Sequence, residues 1–99
     1  MSRNWGPPRK ADHQTGAVPA FADAVAAGLA QVTTTPRGGV TTHAVGGEAF
    51  LVVDERDRTV VVDGQTIVLR TIGRDDLRDV IEAAWAARAP ERAVAAHRR

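Results

Sequence analysis

Residues 40–71 read VTTHAVGGEAFLVVDERDRTVVVDGQTIVLRT, and their period decides the class of fold. β-Branched residues dominate, and apolar and polar positions alternate instead of recurring every three or four residues, which is the pattern of strands. Two dipeptides punctuate the run. Gly46-Gly47 supplies the positive φ angles of a two-residue hairpin loop, which would pair Val45 with Glu48 and His43 with Phe50. Asp63-Gly64 is a second such signal, pairing Val62 with Gln65 and Val60 with Ile67. Between them the charged turn DERDR, residues 54–58, joins AFLVV (49–53) to TVVV (59–62). The expectation is an antiparallel meander of about four strands.

The register carries further information. Val60, Val62, Ile67 and Leu69 fall on one face, which should be the core, and Thr59, Val61, Thr66, Val68 and Arg70 fall on the other. Val61 and Val68 are apolar residues on an otherwise polar face. Whether Phe50 or Leu51 points outward depends on the register across residues 54–58, which local pattern leaves open.

Outward from the meander the period changes. Before it, Phe21, Val25 and Leu29 recur at four-residue spacing over 19–31, with Pro19 suited to a first helical turn. VTTT at 32–35 is extended and precedes a break at 36–39. After it, Leu77, Val80, Ile81, Ala84, Trp85 and Arg88 follow helical spacing from about Gly73. Asp75, Asp76 and Asp79 lie toward the positive end of that helix dipole and Arg88 in its final turn. Trp85 is expected in the core, packing the helix on the sheet. Pro90 disfavours helix at Ala89, and ERAVAAHRR can restart as a short second helix. The fold class is therefore α+β: an N-terminal helix, the meander, and a C-terminal helix. Residues 1–16 mix Pro, Gly and scattered charge without period and read as a disordered tail containing Trp5. Residues 17–99 read as a single domain.

Composition bounds the function. The chain has 99 residues, enough for one domain, and only 4 % aromatic residues, so Val, Ile, Leu and Ala must build the core. A formal net charge of +1 is far from the basic excess of dedicated nucleic-acid binders. No cysteine is present, which removes disulfides, thiolate zinc sites and thiol catalysis. No apolar run has the roughly 20 residues of a membrane span, and no secretory signal is visible. A cytoplasmic location is the expectation.

Catalysis needs a nucleophile, a base and a group that orients them. Ser2 lies in the tail, and His13, His43 and His97 show no metal-ligand spacing. His43 reads as a space-filling strand residue. No active site, metal or cofactor is expected, and the domain reads as non-enzymatic.

The closing stretch resembles the MmcQ/YjbR-like family. It carries Asp76-Leu77-Arg78 at an acidic helix start, Ala84-Trp85 within the helix, and Ala89-Pro90-Glu91-Arg92 after it. Val45-Gly46-Gly47-Glu48-Ala49-Phe50 looks like the family's hairpin. Together these cover roughly residues 20–96, in a shortened member with Asp63-Gly64 joining strands directly. The resemblance implies a frataxin-like fold and DNA binding through a double-wing arrangement, although Glu48 stands where the family commonly carries Lys.

Two functions follow as expectations. One is DNA binding through arginine contacts to phosphate. Arg88, Arg92, Arg98 and Arg99 are the candidate residues, since acids cancel most other arginines. The alternative is a small-molecule or protein-binding module, dimerising or holding a ligand through the sheet face that bears Val61 and Val68.

Overall fold

Three two-residue loops shape the sheet of the computed structural model, which describes residues 16–98. Gly46 and Gly47 have φ of 62° and 80°, and Asp63 and Gly64 have 52° and 79°, the left-handed pair that a type I′ hairpin requires. Gly38 and Gly39, at 58° and 88°, form a third loop of the same kind. The expected break at 36–39 is therefore too long: Pro36 and Arg37 remain in the strand, and only the glycines turn. Pro36 is tolerated because its strand lies at the edge of the sheet, where a missing N–H need break no ladder.

The result is a five-stranded antiparallel meander in the order β1-β2-β3-β4-β5, one strand more than the pattern suggested. The strands are β1 (Val32–Arg37), β2 (Val40–Val45), β3 (Glu48–Asp54), β4 (Thr59–Val62) and β5 (Gln65–Val68). Helix α1 (Pro19–Ala27) precedes them. A single 3-10 turn (Leu69–Thr71), helix α2 (Arg74–Ala86) and helix α3 (Glu91–His97) follow. The expected tail and Trp5 lie outside the described residues, apart from Gly16.

The register of the second hairpin is as expected, with Val60 opposite Ile67 and Val62 opposite Gln65. Val45 meets Glu48 across the first. His43, however, pairs with Leu51 and not with Phe50, because the register shifts between His43 and Ala44. Phe50 is the extra residue of a β-bulge, which bends β3 and increases its twist. The bulge also resolves the open question of direction: both Phe50 and Leu51 are buried, and neither faces water.

Both α1 and α2 pack on β3 and β4, so the helices cover one sheet face. Val45, Leu51, Val53, Val60, Val62 and Leu69 are buried beneath them. The other face carries Thr35, Thr42, Val52, Val61 and Thr66 in one cross-strand row. Val61 and Val68 are 37 % and 40 % exposed there. From α2 the core receives Leu77, Ile81, Ala84 and Trp85, the stripe read from the sequence. The indole N–H of Trp85 donates to the carbonyl of Ala30 at 3.0 Å, tying α2 to the loop after α1.

Helix α1 departs from expectation. It ends at Ala27, and its fully buried residues are Ala22 and Ala26, with Phe21 and Val25 only packed at the margin. Small side chains let the helix approach the sheet closely, which pushes Phe21 to the flank. There the guanidinium carbons of Arg74 and Arg78 lie 5.9 and 5.4 Å from its ring centre, within cation–π range. Helix α3 restarts after Pro90 and folds back on α2. Ala93 is buried, and the His97 ring meets Trp85 edge-on at 5.2 Å.

Candidate binding site

The arginines expected to meet phosphate have different surroundings. Arg88 stands just past the C-terminus of α2, where the last carbonyls of a helix lack backbone donors. Its Nη1 donates to the Ala84 carbonyl at 2.8 Å, and its Nη2 donates to Asp63 Oδ1 at 2.6 Å. Its Nε lies 4.0 Å from Glu48 Oε1, beyond hydrogen-bond range. Asp63 belongs to the second hairpin loop, and Glu48 is the first residue of β3, next to the first loop. Arg88 thus ties the end of α2 to the loop that carries Asp63. Arg92 and Arg98 are exposed, at the start of α3 and just beyond its end, with no ion pair among the described residues. Arg99 lies outside the described residues.

What these elements do bring together is a notch in the sheet. The β3–β4 ladder runs only from Val52↔Val61 to Asp54↔Thr59. From Leu51 back to Glu48, β3 has no partner on that side, and the bulge at Phe50 bends it. The resulting cavity of about 310 Å³ is lined by Ala49, Phe50, Leu51 and Val52 on one side and Val61, Asp63 and Gly64 on the other. Arg88 completes the lining. Phe50 and Leu51 are almost fully buried in its wall, whereas Val61 is on the open sheet face. The Nε of Arg88 is buried and has no hydrogen-bond partner among the described residues. A recess lined about equally by polar and apolar surface can hold a small molecule that carries both.

A second arrangement escaped the sequence reading. His43 is fully buried. Its Nε2 is 2.8 Å from Asp23 Oδ1 on α1, and its Nδ1 is 2.9 Å from Thr34 Oγ1 on β1. The carboxylate accepts only, so Nε2 carries the proton toward Asp23, and a neutral ring then accepts from the Thr34 hydroxyl at Nδ1. Hydroxyl, imidazole and carboxylate are in the order of an activated nucleophile. Neither the notch nor the cavity between α2 and α3 is lined by any of the three. Their evident work is to satisfy a buried imidazole and link α1, β1 and β2. One signal was available: Asp23 is the single charge in PAFADAVAA, and an Asp inside a helix has poor propensity unless a partner holds it.

The cavity between α2 and α3, about 230 Å³, is lined by Asp79, Glu82, Trp85, Val94, His97 and Arg98 among others. His97 Nε2 is 3.4 Å from Glu82 Oε2. No group of three or more His, Cys, Asp or Glu side chains among the described residues is placed to hold a metal ion. No helix among them is long and apolar enough to cross a membrane. Comparisons of the chain with protein-family models, with curated proteins and with solved structures found no match, so geometry alone must carry the functional reading.

Proposed function

We propose that this domain is a non-catalytic binding module whose site is the notch between β3 and β4, and whose ligand is a small molecule with both an apolar and a polar part. One observation carries the reading. The notch sets Val61 and the unpaired stretch of β3 beside the polar side chains of Asp63 and Arg88 in a volume near the roughly 300 Å³ lower end for small-molecule clefts. This is the ligand-binding alternative of the sequence reading, moved from the open face as a whole to the place where its ladder parts. The test is a titration with 1-hexanol followed by amide chemical shifts. Shifts should centre on Ala49–Val52 and Val61–Gly64. Their absence up to millimolar hexanol overturns the reading.

DNA binding, which the resemblance to the MmcQ/YjbR-like family implies, ranks second. Its support is the exposure of Arg92 and Arg98 without ion pairs among the described residues. Against it, the acids Glu48 and Asp63 at the two hairpins would repel phosphate, and the Arg88 cation is already engaged by Asp63. Phosphate-driven affinity would fall with salt by roughly 0.9 log unit per phosphate neutralised, per log unit of salt. No binding to an arbitrary duplex at about 50 mM salt, where such contacts are strong, rejects this second reading.

A further inference from the structure

We infer that β5 is a self-association edge: two copies of this chain pair antiparallel through Gln65–Val68, about a two-fold axis at Ile67, and join their sheets into one. This interface is independent of the notch and uses the outer edge of the sheet.

The Leu69 N–H donates to the Arg58 carbonyl at 3.0 Å, so Leu69 turns its backbone groups toward the β4 side. Backbone groups alternate in direction along an antiparallel strand, so Gln65 and Ile67 also face β4, while Thr66 and Val68 turn N–H and C=O outward. Among the described residues no backbone group meets them there. The Thr71 hydroxyl donates to the Val68 carbonyl at 2.7 Å, which leaves that oxygen a second lone pair. Edge strands are commonly blunted by charge, by proline or by a covering element. At the opposite edge β1 has Pro36 and Arg37, whereas Gln65–Val68 carries neither a charge nor a proline. No helix packs extensively on β5. Ile67 is accordingly only partly buried, and Val68 is 40 % exposed.

A second copy is the occupant that this edge fits. A strand paired with its own copy across a two-fold axis runs antiparallel, and the interface is self-complementary. With Ile67 on the axis, Thr66 of each copy lies opposite Val68 of the other, and the outward N–H and C=O groups of both find partners. Ile67 then meets its twin on the helix side, where the helices give it only partial cover. Charge is complementary in the same register, which brings the Arg70 end of one strand to the Asp63-Gly64 loop of the other. Arg70 is exposed and has no ion pair among the described residues. Asp63 holds Arg88 through Oδ1 and keeps a second oxygen for a further donor. A strand of four residues is short. Its pairing buries less than the roughly 1,200 Å² of lasting complexes, so the dimer is transient, with Kd on the order of 0.1 mM.

Sedimentation equilibrium and amide chemical shifts of the wild-type chain, followed from about 10 µM to about 1 mM, span that Kd. The mean mass should rise from 10.5 kDa toward twice that value, and the concentration-dependent shifts should centre on Gln65–Val68 and Arg70. Thr66→Pro removes a donor that the β4–β5 ladder does not use, a change an edge strand tolerates. The chain should stay folded by circular dichroism while self-association weakens about tenfold. Arg70→Glu sets acid against acid across the axis and should weaken association about fivefold, with an unchanged melting temperature in dilute solution. A chain still monomeric at the highest concentration overturns the inference. So do shifts centred on Val32–Arg37, or on Thr42 and Val52 of the open face, and so does a folded Thr66→Pro chain that associates as tightly as wild type. Should Thr66→Pro unfold, Arg70→Glu decides, and undiminished association of that variant overturns the inference.

Discussion

Trp85→Ala is the substitution whose outcome bears most on this fold. Trp85 is 1 % exposed and has the largest side chain among the fully buried residues. It packs α2 on the sheet, holds the Ala30 carbonyl, and provides the ring against which His97 seats α3. Truncating a buried Trp costs about 3–5 kcal/mol in lost transfer energy and residual cavity. A domain this small has a total stability toward the lower end of about 5–15 kcal/mol. Trp85→Ala should therefore leave a chain partly or wholly unfolded at 25 °C. Trp85→Phe separates the contributions. Its ring fills most of the space, and Ala30 is exposed, so water can replace the indole as donor to the carbonyl. A loss of about 1–2 kcal/mol is expected, from a smaller cavity and one hydrogen bond of modest net worth. At about 4–8 °C per kcal/mol, Trp85→Phe should lower Tm by roughly 5–15 °C. Urea denaturation followed by circular dichroism at 222 nm measures both variants. Amide exchange in Glu91–His97 should also accelerate more than exchange in β3, since α3 depends on that ring. A Trp85→Ala chain within about 1 kcal/mol of wild type would refute the reasoning and mark the indole as dispensable to the core.

Around His43, the two hydrogen-bond partners should differ in sensitivity to the substitution chosen. Thr34→Val and Asp23→Ala each leave a buried ring nitrogen without its partner and should cost about 1–3 kcal/mol, whereas Asp23→Asn keeps an acceptor oxygen and should cost less. Equal loss for Asp23→Ala and Asp23→Asn in urea melts would show that charge, not the hydrogen bond, is what matters there. The face assignment is tested by Val60→Ala against Val68→Ala: about 2 kcal/mol for the buried site, by analogy with other large-to-small core changes, and within about 0.5 kcal/mol for the exposed one. Similar costs at both positions would mean that something covers the open face in solution.

How much of this was legible in the sequence follows from how local each feature is. The loops at Gly46-Gly47 and Asp63-Gly64, and the facing of Val60, Val62 and Ile67, were readable because turn chemistry and a period of two act over a few residues. The stripe Leu77, Ile81, Ala84 and Trp85 was readable for the same reason at helical period. Gly38-Gly39 carries the same local signal, but Pro36 beside it reads as a break, and a proline fits a strand there only because β1 lies at the sheet edge, which is a tertiary fact. The bulge at Phe50 has no local mark. It arises where β3 must both pair with β2 and bury two consecutive large side chains, a demand set by the helices packed over it. The remaining features depend on contacts between residues far apart in the chain. His43 meets Asp23 across 20 positions, Arg88 meets Asp63 across 25, and Trp85 meets Ala30 across 55. Periodicity specifies which face a residue takes, not which distant group will stand opposite it. Arg88, whose charge nothing nearby in the sequence cancels, is thus bound by Asp63 of the second loop, and the notch beside it exists only because the tertiary fold parts β3 from β4.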